Sequence, residues 1–240
     1  MLVLSMLNDT QRRNSIKSQC DSLAIAYEFF DAYTPLDIPN DILLKSNKDM
    51  TKGELACAYS HLMMYQKIIH HKKSFEIIVE DDAFFDKKIS IDFDELEKLH
   101  SYYDVIILGY SKVDDKLKKH MKFIRPSLKR YIENYIVRIP YKQWHCGTVA
   151  YSISLNGAKK LLDINYDLKA PADYWDLFEY NGLKVAHYRE IIVTEKFNEF
   201  SSHIEHDRKT FKNPILLKRY IGGLLRHLYL PITYFKSKKI

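Results

Sequence analysis

Three consecutive acids, Glu80-Asp81-Asp82, stand between the apolar run Phe75-Glu76-Ile77-Ile78-Val79 and the aromatic step Ala83-Phe84-Phe85. A β-branched run that breaks off in carboxylates reads as a strand delivering them to its carboxyl end. Side chains alternate along an extended chain, so Glu80 and Asp82 are expected to project together and Asp81 to point away. Two oxygen donors on one side suit Mg²⁺ or Mn²⁺. These hard ions take a couple of protein carboxylates and leave their other positions to water and a substrate phosphate. A solvated turn is the plainer reading of such a triplet, and only the surroundings decide between the two.

The elements that must position the triplet alternate between strand and helix. Met1 to Leu7 reads as a first strand, Thr10 to about Leu23 as a polar-faced helix, Glu28-Phe29-Phe30 with Ala32-Tyr33 as a short second strand, and Pro35 to Asp49 as a loop. Thr51-Lys52-Gly53-Glu54 has the spacing of a capping box. The helix it opens runs through Leu55, Tyr59, Leu62, Met63, Gln66 and Ile69 to the basic end His70-His71-Lys72-Lys73, where positive charge complements the helix dipole. Further on come a helix near Asp92 to His100, a buried strand Val105 to Gly109, a strand Gly147 to Ser154, and a helix Asn156 to Leu162. An aromatic helix Tyr174 to Tyr180 closed by Asn181-Gly182 and a final strand Glu190 to Thr194 follow. This rhythm predicts an α/β fold with a mainly parallel central sheet flanked by helices, and ligands beyond the carboxyl ends of its strands. The lysine- and tyrosine-rich stretch from Lys112 to Arg138 reads as a solvated excursion, or else as a lid touching an anionic substrate.

At 240 residues, 46% hydrophobic and 28% charged, the chain has ample material for one large α/β domain, and disorder is excluded. Cys20, Cys57 and Cys146 form neither a CxxC pair nor a disulfide framework, which suits a reducing cytosol. The short apolar start lacks the basic region of a signal peptide, and no uncharged span of about 20 residues is present for crossing a membrane. Net charge is +6, from 37 Lys and Arg against 31 Asp and Glu, and the excess sits at one end. From Arg208 to Ile240 there are nine basic residues and no acid; without them the balance is 28 against 31. This separates a body, residues 1–208, from a basic tail, residues 209–240. Leu217, Tyr220, Ile221, Leu224, Leu225 and Leu228 fall at helical spacing there, with Lys218, Arg219 and Arg226 off the stripe. Such a helix suits an anionic membrane surface; packing on the body, or on a second subunit in a homodimer, suits it equally, and Gly222-Gly223 weakens it. A metal-dependent phosphohydrolase would want a second cluster of acids or histidines, and the chain offers none. Nucleic acid is not the expected partner, because the tail's cations are interleaved with long aliphatics rather than stacking aromatics.

The ordered series Arg12-Arg13, Thr51-Lys52-Gly53-Glu54 with Cys57 and Ser60-His61, Val79-Glu80-Asp81-Asp82, Ile106 to Gly109, Gly147-Thr148 with Ala150-Tyr151, Gly157 to Leu162, and Pro171-Ala172-Asp173 resembles glycosyltransferase family 25 over roughly residues 1 to 208. Ala172 and His203 depart from the pattern. The resemblance implies a GT-A fold, a UDP-sugar donor with galactose as the default hexose, inversion at the anomeric carbon, and a lipooligosaccharide or similar saccharide acceptor. The cysteine usage suits a cytoplasmic enzyme, and the basic tail, which is not part of the family pattern, offers peripheral attachment to the inner face of the membrane. Asp82 is then the direct Mn²⁺ or Mg²⁺ ligand, Glu80 touches ribose or a metal-bound water, and Asp81 meets a sugar hydroxyl or makes a structural hydrogen bond. Arg12 and Arg13 approach the nucleotide or form a solvated helix face. Asp173 is the expected general base, with the N-cap of the following helix as its rival role. Glu179, Glu195 and Asp207 stand in reserve, and Tyr174 and Trp175 are expected to stack on sugar faces. His61 lines the nucleotide pocket or serves as a core histidine. His145, Cys146, Gly147 and Thr148 are placed on the acceptor side.

Overall fold

The computed structural model describes residues 1–86, 91–113, 115–195 and 216–237. In chain order the elements are β1 (Leu2–Ser5), α1 (Thr10–Ser22), β2 (Glu28–Asp31), α2 (Asn40–Lys45), α3 (Lys52–His70), β3 (Phe75–Glu80), β4 (Ala83–Phe85), α4 (Phe93–Leu99), β5 (Val105–Ile107), β6 (Gly109–Tyr110), α5 (Asp115–Ile124), β7 (Ser127–Ile132), β8 (Tyr135–Pro140), β9 (Ala150–Ser154), α6 (Leu155–Asn165), α7 (Trp175–Tyr180), β10 (Val185–Tyr188), β11 (Val193–Glu195) and α8 (Leu216–Ser237).

Eight strands form the central sheet in the order β2-β1-β3-β9-β5-β10-β8-β7, and β4-β11-β6 form a small second one. Period-two alternation sends the apolar side chains of each buried strand to both faces. Leu2, Leu4, Ile78, Val105 and Ile107 face a core closed by Leu62 and Tyr65 of α3, Leu161 of α6, and Trp175 and Phe178 of α7. Val3, Ile77, Val79 and Ile106 face the opposite core, closed by Ile16 and Cys20 of α1 and by Leu96 and Leu99 of α4. The capping box is made as expected: Thr51 accepts from the amide of Glu54, and the Glu54 carboxylate accepts from the amide of Thr51.

The sheet departs from expectation in being mixed rather than mainly parallel. β1 pairs in parallel with β2 and β3, and β5 with β10, but β9 runs antiparallel to both of its neighbours, as does β8. The cause lies in Lys112 to Arg138, which is no bare excursion: it forms α5 and most of a β7–β8 hairpin that takes one sheet edge. The chain then re-enters the middle of the sheet as β9 in the reverse direction. Three further differences are local. The expected strand Val105 to Gly109 breaks at Leu108 into β5 and β6, the loop after Pro35 contains α2, and β10 lies ahead of the shorter-than-expected final strand β11.

The notional boundary at residues 208 and 209 lies outside the described residues. Beyond it, α8 lies against α5 and the β7–β8 hairpin, and Gly223 is the contact that permits this. A Cβ there would sit 2.9 Å from the carbonyl oxygen of Phe123 and 3.1 Å from Cα of Ile124, both of them backbone atoms. Tyr220 packs its ring on His120 and Phe123, so it leaves the stripe assigned to it and faces the body. Ile221, Leu224, Leu225, Leu228 and Ile232 stay exposed on the opposite side. Among the described residues no helix is long and apolar enough to cross a membrane.

A side chain at position 223 must therefore lift α8 from the body. Gly223→Leu is expected to speed hydrogen exchange of the 216–237 amides by about tenfold or more, the scale of an overpacking cost of 1–3 kcal/mol, while β1 and β3 exchange as before. Unchanged exchange in α8 contradicts this account of the contact.

Candidate active site

The parallel strands β1, β2 and β3 end together, with Ser5 opposite Asp31 and Leu4 opposite Glu80. The acids are thereby brought to the carboxyl edge of the sheet, beside the start of α1. Because β9 is antiparallel, its amino end reaches the same edge: Ala150 pairs with Val79, and the amide of Glu80 donates to the Val149 carbonyl at 3.0 Å. Thr148, just before β9, donates its hydroxyl to Glu80 Oε1. In the small sheet Glu195 pairs with Ala83, which sets a fourth carboxylate beside the triplet.

The expected alternation within the triplet does not hold. β3 ends at Glu80 and the chain turns at Asp81 and Asp82, so those two side chains converge instead of diverging. Arg12 Nη1 donates to Asp81 Oδ1 at 2.9 Å and to Asp82 Oδ2 at 3.1 Å. Burial works against the Arg12 charge, but the bond from Asp81 and the charges of Asp82, Asp81 and Asp9 outweigh it and raise its pKa. Asp82 is buried, and among the described residues its Oδ1 has no hydrogen-bond partner. Burial, then the charges of Glu80 and Glu195, push the Asp82 carboxyl far above the usual carboxylate range, to about 8. Glu80 is shifted the same way by burial, against the Thr148 hydrogen bond and with Asp81 and Asp173 adding to it. A site holding more carboxylate than cation fits a divalent ion: Asp82 Oδ1 and the Glu80 carboxylate offer hard oxygen donors that such an ion would relieve.

Arg13 does not join this group. It donates to Ser5 Oγ and to the carbonyls of Met6 and Ser5, pairs with Asp31, and lies over the Phe29 ring at 4.7 Å. Its job is to hold the ends of β1 and β2 together. His61 is a core histidine at the edge of the site. Nδ1 shares a 2.7 Å hydrogen bond with the Tyr151 hydroxyl, Nε2 is 3.6 Å from Glu80 Oε1, and burial pushes its pKa down to about 3, so the ring is neutral.

Asp173 is not an N-cap. The cap position of α7 is Tyr174, which makes no side-chain capping bond, and the Asp173 carboxylate points elsewhere. Its Oδ2 accepts from the Gly147 amide at 3.2 Å, while Oδ1 is 3.9 Å from His145 Nδ1. Gly147 needs to be glycine for this: its φ is +81°, and a Cβ would overlap the side chain of Ser111. Trp175 is fully buried, its indole N–H donating to the Gly147 carbonyl, so it cannot stack on a sugar. Tyr174 remains at the surface, against the His145 ring at 4.3 Å. Cys146 is buried, and His145, Gly147 and Thr148 line the larger of the cavities at this edge.

Two cavities meet at this edge. One, of about 470 Å³, lies over the β1–β2–β3 ends and is lined by Ser5, Arg12, Tyr33, Ser60, Asp81 and Asp82. The other, of about 760 Å³, lies over the amino end of β9 and is lined by Trp144, His145, Thr148 and Asp173. They share only Cys57, Glu80 and Glu195. Residues 1–175, from β1 through the acid triplet to Asp173 and the first residue of α7, match glycosyltransferase family 25 (LPS biosynthesis protein). The chain belongs to that family.

Its similarity to individual family members is moderate. It is 30% identical over 172 residues to lipooligosaccharide biosynthesis protein lic2B of Haemophilus influenzae, which covers 66% of this chain and 60% of that one. It is 27% identical over 205 residues to lipooligosaccharide biosynthesis protein lex-1 of Haemophilus influenzae Rd, covering 72% and 65%. To human procollagen galactosyltransferase 2 it is 26% identical over 162 residues, covering 65% of this chain and 24% of that protein. The family 25 chain thus spans about a quarter of the procollagen relative and under two thirds of the bacterial ones.

Two groups of site residues escape the sequence reading. Glu195 ranks there only as a reserve base, although it ends a strand just as Glu80 does. Asp207, another reserve, lies outside the described residues, and Glu179 accepts from Gln143 away from the acids. The cations Lys112, Arg125, Lys218, Arg219 and Arg226 line the larger cavity but are scattered between residues 112 and 226, and only the seating of α8 gathers them.

The raised carboxyls make stability depend on pH in a defined sense. A carboxyl whose pKa rises on folding binds more protons folded than unfolded, from the ordinary range near 4 up to the folded value, so stability falls as pH rises through that window. Metal-free protein is therefore expected to melt progressively lower from about pH 5 to about pH 8, and Asp82→Asn to flatten that slope. Thermal melts at several pH values check it, and an equally steep slope in the variant rules it out.

Proposed function

We propose that the chain is an inverting, metal-dependent hexosyltransferase of GT-A architecture that moves a hexose, galactose by default, from a UDP-sugar to a saccharide acceptor of a lipooligosaccharide or similar surface glycan. The observation that carries this reading is the meeting of two cavities at Glu80, with paired acids in one and Asp173 in the other. The smaller cavity has the polar floor a nucleotide needs, at the carboxyl ends of parallel strands where α/β folds take up such ligands. Asp82 and Glu80 would hold Mn²⁺ or Mg²⁺ there, and the ion supplies countercharge to the departing diphosphate. Arg12 keeps Asp81 and Asp82 turned inward. Thr148 fixes the orientation of Glu80.

Asp173 takes the proton from the attacking acceptor hydroxyl as the new C–O bond forms and the bond to the diphosphate breaks on the opposite face. Its Oδ2 is anchored by the Gly147 amide, so the carboxylate is held in one orientation with its other oxygen directed into the cleft. The acceptor is expected to be presented at an anionic membrane, for which the exposed apolar row of α8 and the basic residues of the tail are suited. Action at the cytoplasmic face of that membrane follows from the same proposal.

Asp173→Asn keeps the shape and an acceptor for the Gly147 amide but cannot take a proton. Transfer from UDP-galactose is expected to fall 10² to 10⁴-fold, with donor binding and melting near the wild type. Wild-type turnover in this variant would place the base elsewhere, Glu195 first.

The membrane component is tested separately with Leu224→Glu and Leu228→Glu, both at exposed positions. Sedimentation with phosphatidylglycerol vesicles is expected to be lost while turnover of a soluble acceptor persists. A change of oligomeric state instead would identify the row as a subunit interface.

A further inference from the structure

The lining of the larger cavity carries the acids Glu80, Asp173 and Glu195 and the cations Lys112, Arg125, Lys218, Arg219 and Arg226. Arg125 and Arg226 continue into an adjoining cavity of about 610 Å³ that also holds Lys142. Arg125 is seated on a rigid platform: its guanidinium lies 4.9 Å over the Trp144 ring, which itself stacks on His187 at 4.7 Å. Arg226 donates to the Ile124 carbonyl at 3.0 Å, one turn from the Gly223 contact that brings α8 down. Among the described residues neither arginine is within ion-pair distance of a carboxylate, although five other ion pairs among them involve arginine.

Gathering guanidinium groups is costly, and here the cost is visible: burial first, then Arg226 and Arg219, push Arg125 down to about 10. A fold keeps such an arrangement where an anion completes it. Arginine rather than lysine at the two best-fixed positions favours a group that accepts paired hydrogen bonds, as phosphate does. Neither Arg125 nor Arg226 lines the smaller cavity that holds Asp82, although both share the larger one with Glu80.

We propose that Arg125 and Arg226, with the α8 wall around them, form an anion subsite that takes a phosphate group carried by the acceptor, close to the hydroxyl that receives the sugar. This rests on the reading of the Asp173 side as the acceptor side. The enzyme is thereby directed to phosphorylated saccharides over neutral ones. The outer, apolar face of α8 and its inner, cationic face then serve one substrate, the first at the lipid surface and the second at the phosphate.

The test uses the full chain in EDTA, with glucose 1-phosphate as probe and methyl glucoside and glucuronic acid as controls, titrated calorimetrically. Wild type is expected to bind the phosphate and to bind both controls at least about tenfold more weakly, the scale of charge-assisted hydrogen bonds. The double variant Arg125→Gln, Arg226→Gln should lose the phosphate preference by about tenfold or more, and Arg125→Lys, Arg226→Lys, which keeps the charge but not the paired donors, should lose part of it, with both variants melting near the wild type. UDP binding in the presence of Mn²⁺ and sedimentation with phosphatidylglycerol vesicles should not change. Equal affinity for glucuronate overturns the phosphate assignment. A parallel loss of UDP binding makes the cluster a donor clamp, a loss of vesicle binding makes it a headgroup site, and either overturns the proposal. Phosphate binding that depends on these arginines in a chain found unable to transfer sugar would uphold the anion site while removing the glycosyltransferase reading, so the two fail separately.

Discussion

The pairing of one guanidinium with two turn carboxylates is the constraint on which the active-site edge depends. Asp81 and Asp82 are both buried, and Arg12 is the cation that reaches both. Removing one partner from a buried ion pair commonly costs 3–5 kcal/mol, because the other charge is left stranded. Everything around Arg12 serves to hold it: α1 is started by Asp9, whose side chain accepts from the Arg12 amide, and Arg13 ties the ends of β1 and β2 beneath it. Glu80 and Glu195 bring two further carboxylates to the same place, and their charges add to the burial that raises the Asp82 carboxyl. An excess of carboxylate, held by a fold that could have replaced it, is the signature of a site completed by something positive.

The antiparallel course of β9 is the second determinant. Had the sheet been wholly parallel, the residues before β9 would lie at its opposite edge, and Thr148 and Gly147 could not reach Glu80 and Asp173. The β7–β8 hairpin is thus more than an edge decoration, because it carries the chain across so that β9 enters reversed. The two cavities are a direct product: one sits over the parallel half, and the other over the point where direction changes, a place where α/β sheets leave a crevice.

How much of this is legible in the sequence follows from how local each feature is. The capping box at Thr51, the helix starting at Thr10 and the acids ending β3 are governed by residues within a few positions of one another, and all are found where the sequence places them. The orientation of the triplet is misread because the alternation rule holds only while the chain is extended, and the chain turns one residue sooner. Asp173 looks like an N-cap because it precedes a helix. Its carboxylate is claimed instead by an amide 26 positions away, a contact that no local pattern encodes. Trp175 looks like a sugar platform by residue type, yet the same bulk fills the core under Tyr151. The long-range partners Glu195, Arg125 and Arg226 are invisible for the same reason.

The tail shows the limit of amphipathic reasoning most clearly. A helical stripe of Tyr220, Ile221, Leu224, Leu225 and Leu228 has one apolar direction on paper, but Gly223 supplies a second, flat face on which backbone meets backbone. Helices dock through small residues as readily as through large ones, because close approach recovers dispersion that a missing side chain would have given. The apolar row is thereby turned away from the body and the off-stripe arginines are turned toward the cleft. A pair of glycines that weakens the helix as an isolated segment is what allows the folded protein to place cations beside Asp173. It also couples the two faces of α8: any movement that lifts the helix from the body must withdraw Arg226 from the cleft at the same time.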